Sequence, residues 1–474
     1  MRQSTLKYKI LLAVLLLSGC DLFDPTQGIE NPNITFDKIV GTAGSTVKWL
    51  NGQEREMAIV YNSLVVNLEI ASDNYDNTRT FFSQAFDGLT FSYQDATINN
   101  LQFAIADLRQ SAIQGIDLIA ANDPSVTDDL VAELYFFKGW AALLAGEIFV
   151  GMPLTPGGVV ATPAQNLDAA IADFQEAESL NGANVGYKLA LARAYYAKGD
   201  KVNAVLKANE AIALSTNFTR PIRYDVITAA TNNTMQDALY DRGTFDDLQP
   251  LPRLDFLDPK YYGRNATVES QIPLLKIEEA HLINAEADLS NNLLAAAQTK
   301  MKALRALVAT RATETFNDTV EGRTEQAPGS RPNNSAVVVR ASATDPFRSG
   351  LVLTRTTTTT VPIISGTSVT DAMIDAAATT DEALELLYLM RQEIFISEGR
   401  RFFDLGLRWP VSETEKLTNP NVTDAHIVGF VPTFVPTNMD AFTYDAVAGQ
   451  STVTVNMNRV LVQNKGDAAV LPFH

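Results

Sequence analysis

The sequence predicts a mainly α fold in which helical hairpins form the body and an irregular, loop-rich side carries small β-hairpins. Three observations predict it. Apolar residues return at spacings of three and four over most of the chain, the period of a helix with one buried face. Small alanines recur where paired helices would touch, and Gly, Asn, Asp or Pro stands at the breaks between them. Across 313–370, and again after Pro410, the pattern changes to Thr- and Val-rich pieces of β character. At 474 residues, 46% hydrophobic and 19% charged, the chain can bury a large core.

The first 20 residues read as a targeting segment, outside the fold. Arg2, Lys7 and Lys9 make a basic start, and the apolar run 10–17 is too short to cross roughly 30 Å of hydrocarbon. The run closes on Leu17-Ser18-Gly19-Cys20, which resembles a bacterial lipobox. The resemblance implies that 1–19 is a signal peptide and that Cys20 carries lipid. Asp21 and Asp24 follow at once. In Bacteroidetes-like bacteria such an acidic leader resembles a signal for surface export; elsewhere Asp there favours inner-membrane retention. Cys20 is the only cysteine, so the mature chain holds no disulfide and no Cys-based metal site. Residues 20–46 read as a lipidated tether and N-terminal segment, and 47–474 as one globular domain. Net charge is −18, near −21 without the basic leader, which excludes the phosphate-neutralising surface that nucleic acid requires.

The first long helix is predicted over 47–70, with Trp49, Ile59, Leu64, Val65 and Leu68 in the core. A polar loop studded with aromatics follows to residue 82, then a helix over about 95–121. Thr127 caps the next helix, which Gly151-Met152-Pro153 stops, and 167–180 returns with Leu167, Ala170, Ile171 and Phe174 on one face. The clearest pair is 185–214, broken at Lys198-Gly199-Asp200. Leu189, Ala192, Tyr195 and Tyr196 line its first helix; Val202, Val205, Ala208, Ala211 and Ile212 line its second. A further pair covers 274–289 and 293–308, where Ala285 and Ala295 repeat the offset of Ala194 and Ala204. The pairs near 128–180, 185–214 and 274–308 resemble tetratricopeptide (TPR) repeats, which are helix-turn-helix units of about 34 residues. Residues 217–264 are irregular. The insert 313–370 reads as a long loop with a small hairpin, and a loop of that length in a compact domain is usually functional or mobile. Helix returns over 381–398 and continues to Trp409, whereas 410–474 gives few helix signals.

Residues 390–409 carry a more specific pattern. Arg391, Glu398, Gly399, Arg401, Asp404, Leu405, Arg408 and Trp409 match the C-terminal signature of SusD/RagB outer-membrane lipoproteins, with Met390 and Ile394 where the family has Glu. Ala285-Glu286-Ala287 and Leu304-Arg305 resemble a helical pair of the same family. With the lipobox and the hairpins, the resemblance covers most of the mature chain. It implies a SusD-like fold with TPR-like hairpins and a loop-rich ligand side. It also implies a cell-surface lipoprotein that binds a nutrient, an oligosaccharide before others, and delivers it as a lid to a SusC-like TonB-dependent outer-membrane transporter. The partners so implied are that transporter, docked on the hairpin face, a glycan or other small nutrient, and the membrane through Cys20. A TPR-type lipoprotein adaptor for protein–protein interactions in envelope assembly is the alternative, and it leaves 390–409 unexplained.

Read from its residues alone, the signature is structural. Arg401 and Asp404 stand three apart, and Asp404 and Arg408 four apart, close enough to pair on a helical surface, while Gly399 turns the chain. Catalytic patterns are missing: His281, His426 and His474 are scattered, and there is no phosphate loop, nucleophile elbow, H-E-x-x-H or EF-hand. No catalytic residue, cofactor or metal is therefore expected. Saccharide recognition calls for flat aromatic faces beside Asn, Asp and Arg. Asn74, Tyr75, Asn77, Arg79, Phe81 and Phe82 supply these in the loop after the first helix, where the family resemblance places ligand contacts. Tyr261, Tyr262 and Arg264 form a second group. Tyr75 and Arg79 lead, because Phe81 and Phe82 read equally well as plugs beneath a loop. Trp140 and Trp409 fall in core positions, so no tryptophan platform is expected.

Overall fold

The structure, a computed structural model, describes residues 39–77, 84–224, 231–241, 248–261, 269–317, 331–354, 357–470 and 473. The signal peptide, Cys20 and most of the tether lie outside the described residues, as do Arg79, Phe81, Phe82, Tyr262 and Arg264.

Helix α1 (Ser45–Ile70) is buried along most of its length, with Leu64, Val65 and Leu68 in the core. Ile59 departs from expectation at 43% exposed, and Trp49 is half-buried, its indole N–H donating to the Ser111 carbonyl at 2.9 Å. In α2 (Ala96–Gln114) the Asp95 carboxylate caps the first turn by accepting from Thr97 N at 2.7 Å. The helix then widens into one π turn at Gly115–Ala120. A Cβ on Gly115 would stand 2.6 Å from Leu134 and 2.8 Å from Trp49, so only glycine lets the chain around Leu134 approach α1 and α2 there.

Helices α3 (Asp128–Ile148), α4 (Pro163–Leu180), α5 (Val185–Lys198), α6 (Lys201–Leu214), α7 (Glu278–Ser290) and α8 (Leu294–Val308) pack as three successive hairpins. Their ends follow local chemistry. Thr162 and Gln165 form a capping box on α4, and Gly199 at φ 81° closes α5 with its N–H on the Tyr195 and Tyr196 carbonyls. Ala192, Ala204, Ala208 and Ala211 are wholly buried, which brings α5 and α6 together as their size predicts. Val202, assigned to that seam from spacing, is instead 77% exposed on the outer face of α6.

The helix predicted from residue 274 begins at Glu278, because Ile272–Lys276 pairs as a strand with Thr219–Ile222. The long helix predicted over 381–409 is also interrupted. It ends as α9 (Thr380–Ile394), turns through Ser397 at φ 60° and Gly399 at φ 69°, and resumes briefly as α10 (Arg401–Asp404). In the tail, α11 (Met457–Gln463) packs on α9, held at its start by the Asn456 side chain.

Short strands, numbered along the chain, tie the loops together. β1 (Tyr75–Asn77) pairs with β5 (Leu248–Pro250), β2 (Met152–Pro153) with β3 (Val160–Ala161), and β4 (Thr219–Ile222) with β6 (Ile272–Lys276). In the insert, β7 (Thr313–Asn317) pairs with β9 (Thr358–Pro362) across the predicted loop. There β8 (Val338–Arg340) runs parallel to β11 (Gln450–Val453), itself antiparallel to β10 (Phe442–Asp445). One buried cluster extends from Leu50 to Phe473 and includes Trp140 and Trp409, both fully buried as expected. Among the described residues, no helix is long and apolar enough to cross a membrane.

Candidate binding cleft

The polar frame of the loop side radiates from Asp73, fully buried just beyond α1. Arg401 donates to its two carboxylate oxygens at 2.5 and 3.0 Å, Arg253 at 2.6 Å and Gln392 at 3.0 Å. Burial pushes the Asp73 carboxyl up, but the Arg401 and Arg253 guanidiniums outweigh it and hold the group below its ordinary value. Around this hub Arg391 bonds Asp404 at 2.9 Å, Arg400 bonds Glu279 at 2.5 Å, and Lys276 bonds Glu398 at 2.6 Å beside Lys260. The signature is therefore a buried network, where spacing predicted pairs on a helical surface. Arg401 reaches Asp73 instead of Asp404, and Arg408 donates to the Gly146 carbonyl at 2.6 Å. The left-handed turn at Ser397 and Gly399 redirects these side chains inward.

That network also claims three residues predicted to face a ligand. Asn74 donates to Glu69 at 2.7 Å and accepts from Gln392 at 2.9 Å. The hydroxyls of Tyr75 and Ser397 stand 2.6 Å apart, and the Tyr261 hydroxyl donates to the Ser397 carbonyl at 2.8 Å. Asn74, Tyr75 and Tyr261 are 0–1% exposed. In this structure their polar atoms hold the loop on the frame. Asn77 contributes its backbone to β1, opposite Leu248.

An open cleft lies against the frame. Its outer chamber, about 460 Å³, is lined by Phe256, Phe347, Arg348, Thr367, Ser368 and Met373. An inner chamber of about 140 Å³ is lined by Arg253, Asp345, Glu385, Glu393, Asn456 and Asn458. Arg348, Leu351 and Met373 line both, so the two chambers adjoin. Phe347 is 37% exposed, with the Arg340 guanidinium 4.6 Å from its ring centre. Arg348 is fixed by donating to the Ser368 carbonyl at 2.6 Å. Glu393 is buried and accepts from Thr367 Oγ1 at 2.6 Å and Ser368 N at 2.8 Å; burial raises its carboxyl above the ordinary value despite those donors. Two buried atoms on the inner wall, Arg253 Nε and Asn458 Oδ1, have no partner among the described residues. An aromatic face beside paired donors and acceptors suits a polyhydroxylated ligand. Sequence reasoning missed Phe347 and Arg348. The signal was the length of the insert 313–370, which marked the region but no residue in it.

Asp76, Asp87 and Asp440 bring carboxylate oxygens within 4.8 Å of one another, the one group among the described residues close enough to hold a cation. No metal is assigned to it. Burial, then repulsion from Asp87 and Asp76, pushes Asp440 up to about 8, and burial with Asp87 pushes Asp76 up to about 6. Both exceed the ~4 of an unfolded Asp, so the folded protein keeps protons that the unfolded chain releases. The stability these groups contribute is full below pH ~4 and is lost as pH rises through 6 and 8. Asp440→Asn is expected to raise the melting temperature at pH ~8 by about 2 °C or more and to flatten its decline from pH ~5. Thermal scans across that range check it, and an unchanged slope would place the pH dependence elsewhere.

No protein-family model and no curated protein matches the sequence. Solved structures do match the fold. A SusD superfamily protein from Bacteroides fragilis, 13% identical, aligns over 81% of this chain and 100% of its own, with a TM-score of 0.52. A SusD-like protein from the same species, 11% identical, aligns over 78% of this chain and 87% of its own, with a TM-score of 0.53. NanU of B. fragilis, 12% identical, aligns over 83% and 99%, with a TM-score of 0.52. The protein thus has the SusD-like fold, mainly α with small sheets, that the sequence predicts.

Proposed function

We propose that this chain is a SusD/RagB family lipoprotein of the cell surface. It is anchored in the outer membrane by lipid on Cys20, binds an oligosaccharide without acting on it, and delivers it as a lid to a SusC-like TonB-dependent transporter. The observation that carries the reading is the SusD-like fold over four-fifths of the chain, joined to the signature at 390–409. The cleft at Phe347 supplies the chemistry: a ring face for stacking, Arg348 as donor, and the Ser368 and Thr370 hydroxyls beside it. Asn77, Arg79, Phe81, Phe82, Tyr262 and Arg264 belong to the same proposal as further contacts from neighbouring loops. Affinity purification from detergent-solubilised membranes is expected to bring down a TonB-dependent barrel, and a glycan array to give specific saccharide binding. Recovery of envelope-assembly proteins alone, with no saccharide bound, would favour the adaptor reading and sink this one.

A further inference from the structure

Charge is unevenly shared in the Phe347 cleft. Among the described residues, Arg348 is the one charged side chain on the lining of the outer chamber, and no carboxylate lies there. The chain as a whole carries −18, so a cationic chamber is a local departure from an acidic molecule.

The neighbouring arginines are spent on carboxylates: Arg401 and Arg253 on Asp73, and Arg459 on Asp345 and Glu385. Arg348 is not. Its Nη2 donates to the Ser368 carbonyl at 2.6 Å, while Nε and Nη1 meet no acceptor among the described residues. Neither of those nitrogens is buried, so both stay open to solvent on a half-buried side chain. A second cation stands close by. The Arg340 guanidinium lies 4.6 Å from the Phe347 ring centre, with Nε on Thr452 Oγ1 and Nη1 on the Ala343 carbonyl, each at 2.9 Å. Its Nη2 is open as well, and no carboxylate among the described residues pairs with it.

The carboxylates of the inner chamber do not cancel this charge. Asp345 and Glu385 are both bonded by Arg459, and Asn456 donates to each of them. Glu393 is turned to Thr367 and Ser368, and burial holds its carboxyl above the ordinary value even though the Arg348 charge acts on it.

We propose that the cleft selects an acidic saccharide, with a sugar carboxylate held by the open nitrogens of Arg348 and the apolar face of the sugar over Phe347. This deepens the reading of the cleft as the saccharide site and rests on it. A guanidinium binds a carboxylate through charge-assisted bonds, about twice as strong as those it makes to a neutral hydroxyl.

The test is a glycan array carrying uronic-acid oligosaccharides of varied linkage beside their carboxyl-reduced counterparts. Calorimetry of the detergent-solubilised full chain then compares the best acid with its reduced form. The acid is expected to bind at least tenfold more tightly. Raising salt to ~0.5 M weakens the acid severalfold and leaves the reduced form unchanged. Arg348→Gln keeps an N–H donor near Ser368 but removes the charge, and it brings the acid to the affinity of its reduced form. Arg340→Gln lowers the preference by a smaller factor. Equal affinity for the two forms overturns the proposal while leaving the cleft a saccharide site. So does a preference that Arg348→Gln leaves intact, or one that salt does not touch. The reduced-form and salt comparisons need no variant, so they decide the matter even where Arg348→Gln fails to fold. Loss of both forms by the same factor in Arg348→Gln makes the residue a neutral donor and also overturns it. A chain that binds no saccharide at all overturns the proposal together with the reading beneath it.

Discussion

Replacing Asp73 with alanine is expected to destabilise the protein by about 3–5 kcal/mol, the range for stripping one partner from a buried ion pair. The carboxylate is fully buried and holds two guanidiniums, those of Arg401 and Arg253, at 2.5–3.0 Å. Without it, two cations with 2–4% side-chain exposure remain uncompensated in the core. Gln392 loses an acceptor as well. Asp73→Asn keeps the volume but offers one oxygen to two cations, so it should cost nearly as much. Urea denaturation followed by circular dichroism measures both. A loss below about 1 kcal/mol would mean that water reaches the guanidiniums and that the hub is not closed.

Phe347→Ala is expected to weaken saccharide binding about tenfold or more while leaving the melting temperature within ~1 °C. The ring is 37% exposed, so little folding energy depends on it. Stacking of a sugar face on an aromatic ring is taken here at about the 0.5–1.5 kcal/mol of aromatic pairs, plus the apolar area buried. Arg348→Ala should cost at least as much, because it removes a donor already oriented by the Ser368 carbonyl. Calorimetry with a saccharide identified on the array decides it. Unaltered affinity in both variants would move the ligand to the loops near β1 and Tyr261.

The hairpins were legible in sequence because helix period and alanine size are local signals. The break at Gly199 and the buried alanines of α5 and α6 stand where the spacing put them. Strand β6 was not legible, because its partner β4 lies some fifty residues away and an apolar run gives no sign of its pairing. Residues 390–409 were recognisable as a pattern yet misread as geometry. Two left-handed residues reorganise every pair, and Ser397 gives no hint of one of them. Composition cannot tell whether a tyrosine is buried or open, and the fold sets the Tyr75 hydroxyl against Ser397. Phe347 was hidden for the opposite reason: it stands in a Ser- and Thr-rich insert with no periodicity to draw the eye.

The bond between Asp73 and Arg401 joins residues 328 positions apart, and that between Tyr75 and Ser397 spans 322. Such separations set an order of events in time. At roughly 5–20 residues per second, ribosomal synthesis takes on the order of half a minute to reach residue 401 once residue 73 has been made. Until Arg253 is made, roughly halfway through that interval, the hub carboxylate has neither of its cations, and Arg401 arrives last. The three hairpins can form early from near neighbours, whereas the loop side must wait for the far signature. Refolding should therefore be biphasic, with helical signal returning first and the cleft last.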